Sequence, residues 1–181
     1  MTDRKVLLLM LYMEDGGQPG VKGITRLQKY MFLVKHRCEL PAPAEEETFE
    51  PYKFGPYSPE LYDDLEFLEN LGLIEGKPVA SDPEAESVAA EEAELSFDYL
   101  LSDDEEQTAK AEVGDREFVL TAKGRDLVES SVLPEADDLL VQRIRAVKSK
   151  FSSYSLRDLL RYVYQQFPEW TRESEIREHL F

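Results

Sequence analysis

"TFEPYKFGPYSPELYDDLEFLENLGLIEG", Thr48–Gly76, decides how this chain is read. Its first half sets Phe49, Tyr52, Phe54 and Tyr57 among Pro51, Gly55, Pro56 and Pro59. Proline fixes φ and glycine frees it, so this half reads as an extended turn. Ser58 has the chemistry of a helix N-cap, and Pro59 sits at the first helical position, where its missing N–H costs nothing. Tyr57 before the cap and Tyr62 one turn inside have the placement of a hydrophobic staple. Leu61, Leu65, Leu68 and Leu71 then form one apolar stripe, and Gly72 stops the helix as a left-handed residue would. The charges on this helix, Glu60, Asp63, Asp64, Glu66 and Glu69, are all negative.

The flanks extend the pattern in both directions. Residues 3–14, "DRKVLLLMLYME", are apolar nearly all round and predict a buried helix. "DGGQPGVKG" is a loop. Thr25 is a suitable N-cap for "RLQKYMFLVKHRCE", where Leu27, Met31, Val34 and Cys38 recur at helical spacing. Arg26, Lys29, Lys35 and Arg37 fall on the polar side of that helix. After the third helix, "LIEGKPV" alternates as a strand does, and "REFVLTAKGRDLVESS" reads as a strand turning into a helix capped at Thr121. Leu73–Val79 and Arg116–Leu120 are expected to pair as a hairpin with a very long tip. Beyond Pro134, Leu140, Ile144, Val147 and Phe151 make one helical stripe, and Leu156, Leu159, Leu160, Val163, Tyr164 and Phe167 make another. Thr171 can cap a last short helix.

Three helices, a strand, a long tip, a returning strand and a helix is the order of a winged helix-turn-helix. The expected fold is therefore mainly α (α+β). Its winged-helix-like domain covers residues 1–133, with an acidic insertion at 81–116 where a wing tip belongs. A C-terminal helical extension, 134–181, packs on it.

The segments "GITRLQKYMFLV" and "FEPYKFGPYSPELYDDLEFLENLGLI" resemble the YwgA-like family and, more distantly, the SocA-like "Panacea" antitoxin domains. In those families a helix with an LQK-hydrophobic-hydrophobic-F core precedes a YGP-S motif and a leucine-rich helix ending in glycine. "LRDLLRYVYQQFPEWTRESEI" is similar to the helical tail of YwgA-like proteins. The likeness covers residues 3–75 and 117–181. It implies a winged-helix-like core and, by analogy with the Panacea relatives, binding of a partner protein, often a toxin.

Composition narrows the function classes. Net charge is −17 over 181 residues. The stretch Ser81–Glu117 alone contributes −12, which leaves −5 for the rest. Such a run reads as a solvated, partly disordered loop, or as an acidic decoy for a basic partner. A single cysteine, Cys38, excludes an internal disulfide. With only His36 and His179 as imidazoles, no metal cluster and no cofactor site is apparent. Cys38 and His36 lie two apart and so point away from each other on a helix. "GGQPGVKG" lacks the Gly-Lys-Ser/Thr ending of a phosphate-binding loop. No residue pattern commits to an enzyme. The apolar run Val6–Met13 is too short to span a bilayer, and the expected location is the cytoplasm.

A DNA-reading third helix needs Arg, Lys, Asn or Gln toward bases and phosphates. This one carries five carboxylates and one asparagine, Asn70, and phosphates would repel it. The leading expectation is a non-enzymatic protein-interaction module, antitoxin-like or adaptor-like. Its candidate contacts are Tyr52, Phe54, Tyr57, Glu60, Asp63, Asp64 and Trp170, and a basic toxin or nucleic-acid enzyme would suit their charge. The alternative is a DNA-associated regulator that binds through the second helix and the tail. Its candidates are Lys22, Arg26, Lys29, Arg143 and Lys148, joined by Lys35, Arg37, Arg145, Lys150, Arg157 and Arg161. The aromatic loop and "YVYQQFPEWT" also have a structural reading, as rings that seal the core.

Overall fold

Residues Asp3 to Tyr12 form the helix around which the rest is laid, α1, and Val6–Leu11 are all buried in it. The computed structural model describes residues 3–13, 20–36, 49–52, 55–78 and 116–172. After α1 come β1 (Val21–Lys22), α2 (Ile24–His36), β2 (Glu50–Tyr52), β3 (Gly55–Tyr57) and α3 (Glu60–Asn70). Then follow β4 (Ile74–Pro78), β5 (Arg116–Leu120), α4 (Ala122–Leu127) and a π-helical turn over Val128–Val132. The described elements end with α5 (Asp138–Phe151), α6 (Leu156–Gln166) and a 3-10 turn over Pro168–Thr171. The architecture is α+β: mainly helical, with two small antiparallel sheets among the described residues, ordered β1-β5-β4 and β2-β3. The acidic stretch 81–115, together with Arg37, Cys38, Phe54 and the segment after Arg172, lies outside the described residues.

α1 contacts β5, α2, α3, α5 and the π turn, which is why a helix apolar on every side beyond its first turn is stable there. Ile144, Val147, Phe151, Leu156, Leu159, Leu160 and Val163 are buried in the same core as Leu7, Leu27 and Phe32. β4 and β5 pair over their whole length, from Ile74 opposite Leu120 to Pro78 opposite Arg116. β1 adds a two-residue third strand to the far side of β5.

The third helix ends as its sequence requires. Gly72 takes φ 66°, its N–H donates to the Glu69 carbonyl at 2.8 Å, and the Leu73 N–H donates to the Leu68 carbonyl at 2.9 Å. That is a Schellman closure, with Leu68 and Leu73 both buried beside it. Thr121 caps α4 by accepting the Gly124 N–H at 3.1 Å, and its own hydroxyl donates to the Gly72 carbonyl at 2.7 Å. The Thr121 N–H reaches the Leu73 carbonyl at 3.1 Å, and Lys123 Nζ reaches that of Leu71 at 2.7 Å. Two phrases forty-odd residues apart, "LGLIEG" and "LTAKG", are thus sewn together through backbone carbonyls.

Three expectations need correction. Thr25 is inside α2 rather than its cap: the helix begins at Ile24, after Gly23, whose carbonyl accepts the Leu27 N–H. α3 begins at Glu60, and Pro59 has helical torsions with no side-chain cap. Ser58 is buried, and its backbone is held instead by Gln28, which accepts the Ser58 N–H at 2.8 Å and donates to the Ser58 carbonyl at 3.1 Å. Leu71, placed on the buried stripe by spacing, lies past the last helical turn and is exposed. The staple contact itself forms, with the Tyr57 and Tyr62 rings 6.0 Å apart.

Candidate interaction surface

α3 turns Leu61, Leu65 and Leu68 into the core and leaves a polar and apolar face outside. Glu60, Asp63, Glu66 and Asn70 are exposed there. So are Phe67 and Leu71, at 42% and 44%, large apolar side chains one turn apart. Glu60 and Asp63 lie in the first turn, where a carboxylate stabilises the helix dipole. Glu66 has no such reason to be acidic. Asp64 receives the Arg4 guanidinium at 2.6 Å, and that guanidinium also lies 4.0 Å over the Phe67 ring. Asp3, Arg4, Glu60, Asp63 and Asp64 line a cleft of about 470 Å³ between the starts of α1 and α3. Asp3 is itself paired with Lys35 at 2.6 Å. Glu69 faces another way: it pairs with Arg116 and accepts the Gly76 N–H at 2.9 Å.

The aromatic loop is not spread over this face. Tyr52 and Tyr57 are half-buried, their rings tilted to each other with centroids 4.9 Å apart, on a β2–β3 hairpin in which Gly55 and Pro56 are buried. Phe49 is buried against Phe32 at 5.5 Å. Trp170 is half-buried and packs edge-on to Phe32 at 5.3 Å and to His36 at 4.9 Å. The turn that carries Trp170 packs on both hairpin strands. The candidate contacts therefore divide: Glu60, Asp63 and Asp64 share the α3 face, Tyr52 and Tyr57 pair on the β2–β3 hairpin with Tyr57 beside Tyr62 of α3, and Trp170 packs on α2.

The basic candidates sit differently from the solvent-facing placement their charge suggests. Arg26, Lys29 and Lys148 are buried, at 7%, 2% and 2% exposure. Each donates to main-chain carbonyls: Arg26 to Tyr154 at 2.9 Å, Lys29 to Pro56 at 2.9 Å, and Lys148 to Met13 and, at 3.3 Å, to Gly20. The physical reason is shared. Hairpins and helix ends leave carbonyls without ladder partners, and a long cationic side chain satisfies them from inside. Burial pushes the Lys29 amine down to about 7, so it is largely neutral in mildly alkaline solution. Lys22 and Arg143 are half-buried, and Arg143 Nε and Nη2 find no hydrogen-bond partner among the described residues.

Phe67 and Arg4 are the members of the surface that the sequence pattern did not single out, and its spacing puts the exposed Leu71 on the buried side. Phe67 carried a signal, because a phenylalanine off the leucine stripe and among acids has no place in the core. Among the described residues no group of three or more His, Cys, Asp or Glu is placed to hold a metal, and no helix is long and apolar enough to cross a membrane. Comparison with protein-family models, curated proteins and solved structures found no match to this chain. Function is therefore read from the geometry.

Proposed function

We propose that this chain is a non-enzymatic protein-interaction module, antitoxin-like or adaptor-like, built on a winged-helix-like core. The order of α1, α2, α3, β4, β5 and α4 supports the core reading. One observation carries the function: the helix in the recognition position bears no cation and exposes Phe67 and Leu71 beside Glu60, Asp63 and Glu66. Apolar side chains exposed at such a position mark a surface for protein rather than for phosphate. The DNA-associated reading loses Arg26, Lys29 and Lys148 to main-chain carbonyls in the interior. What it keeps is the outer side of α5 and α6, where Arg145 and Arg157 are exposed.

The test is capture of the tagged chain from its native lysate, washed with nuclease and with rising salt. A stoichiometric protein that survives both is the expected result. Nucleic acid alone, released as salt rises, would overturn the proposal, because phosphate contacts weaken steeply with ionic strength.

A further inference from the structure

We infer that the outer face of α3 receives a cationic amphipathic helix of the partner. Two apolar side chains of that helix, one turn apart, rest on Phe67 and Leu71, and a Lys or Arg meets Glu60 and Asp63 at the mouth of the cleft they line with Asp3, Arg4 and Asp64. The inference rests on the protein-interaction reading and adds to it the site and the chemistry of the occupant.

Shape selects a helix. α3 is about 16 Å long, and its exposed apolar pair has the four-residue spacing that a second helix meets with its own i and i+4 side chains. An extended segment would need a sheet edge, and the nearest one is closed. Among the described residues β4 has β5 as its one neighbour, yet at its outer edge the Gly76 N–H is taken by Glu69 and the Gly76 carbonyl accepts from Arg116 Nη2 at 3.2 Å. A Cβ on Gly76 would fall 2.2 Å from that guanidinium, so the plug is seated against the strand itself.

Charge selects a cation-bearing helix. Asp64 neutralises Arg4 and Lys35 neutralises Asp3, which leaves Glu60, Asp63 and Glu66 exposed along the same side of α3. A neutral apolar helix would desolvate these carboxylates without compensation. An acidic helix would be repelled, and so would the same face of a second copy, each chain carrying −17. Lys or Arg placed on either side of the apolar pair meets both conditions.

A synthetic helical peptide of about five turns, with leucines on one face and lysines flanking them, is titrated into the full chain and followed by amide chemical shifts. A second peptide carries Glu at every Lys position. The Lys peptide is expected to move the amides of Asp63–Gly72 and Asp3–Lys5. Its affinity should fall about tenfold or more in the Phe67→Ser, Leu71→Ser double variant. Both side chains lie outside the core, so the variant should stay folded and melt only slightly below the parent, through loss of the Arg4–Phe67 contact. Shifts centred on α5 and α6, equal binding of the Glu peptide, or an unchanged affinity in the double variant would each overturn the inference. The broader reading is separable. A native protein captured equally well by the double variant sinks this surface and leaves an interaction module, whereas Lys-peptide binding at α3 with no native protein captured does the reverse.

Discussion

Gly124→Ala is expected to destabilise the fold by about 3–5 kcal/mol, near the upper end of single-substitution effects. Helix propensity alone predicts the opposite sign, since alanine is favoured over glycine in a helix by about 1 kcal/mol. The reversal comes from a close approach. A Cβ at Gly124 would lie 1.9 Å from the Leu73 carbonyl oxygen, 2.9 Å from its carbon and 3.2 Å from Leu120 Cδ2. Two of those atoms are backbone and cannot rotate away. Nor can α4 back off cheaply, because Thr121 bonds the Gly72 and Leu73 carbonyls and caps Gly124 in turn. Separating the helix from the β4 entrance breaks that whole set. Urea unfolding of both proteins checks this: the midpoint should drop sharply with its slope retained. A midpoint that stays or rises would show that the joint between α3, β4 and α4 is looser than described.

Lys29→Met should change how stability depends on pH. The Lys29 amine is buried, donates to the Pro56 carbonyl at 2.9 Å, and has its pKa lowered by desolvation from 10.5 to about 7. Below pH 7 both folded and unfolded chains hold the proton, and the full cost of burying the charge is present. Between pH 7 and 10.5 the folded chain has released the proton while the unfolded chain still binds it. Stability therefore rises with pH in that window, by about 1.4 kcal/mol per pH unit and about 5 kcal/mol across it. Methionine does not titrate. The variant should be the more stable protein at pH 6, less a constant loss of about 1–2 kcal/mol for the unsatisfied Pro56 carbonyl, and the less stable one at pH 10. Other lysines and tyrosines titrate alike in both proteins and cancel in the difference. Urea denaturation of the pair from pH 6 to pH 10 would refute the account if the two stability curves ran parallel.

Parts of this molecule were legible in the sequence because local chemistry decides them. Gly72 needs a left-handed conformation whatever surrounds it, and Thr121 followed by a glycine at the third helical position is a cap in isolation. The pairing of β4 with β5 and the stripes on α5 and α6 follow from periodicity. What was not legible depends on contacts distant in sequence. β1 is two residues within a Gly-rich segment and is a strand because β5 passes beside it. Gln28, buried on α2, is explained by the Ser58 backbone thirty residues away. Arg26, Lys29 and Lys148 read as surface because charge is seldom buried, and only the fold reveals the carbonyls that draw them inward. Leu71 shows the converse, since the spacing of three buried leucines carries no sign that the helix ends just before the fourth.

The central claim, that a protein partner is held on the outer face of α3, is tested most directly by hydrogen–deuterium exchange of the captured complex against the free chain. The account predicts new protection over Glu60–Leu71 and at the start of α1, with little change in α5 and α6. Protection confined to α5, α6 or the β2–β3 hairpin, with α3 exchanging as in the free chain, would contradict it.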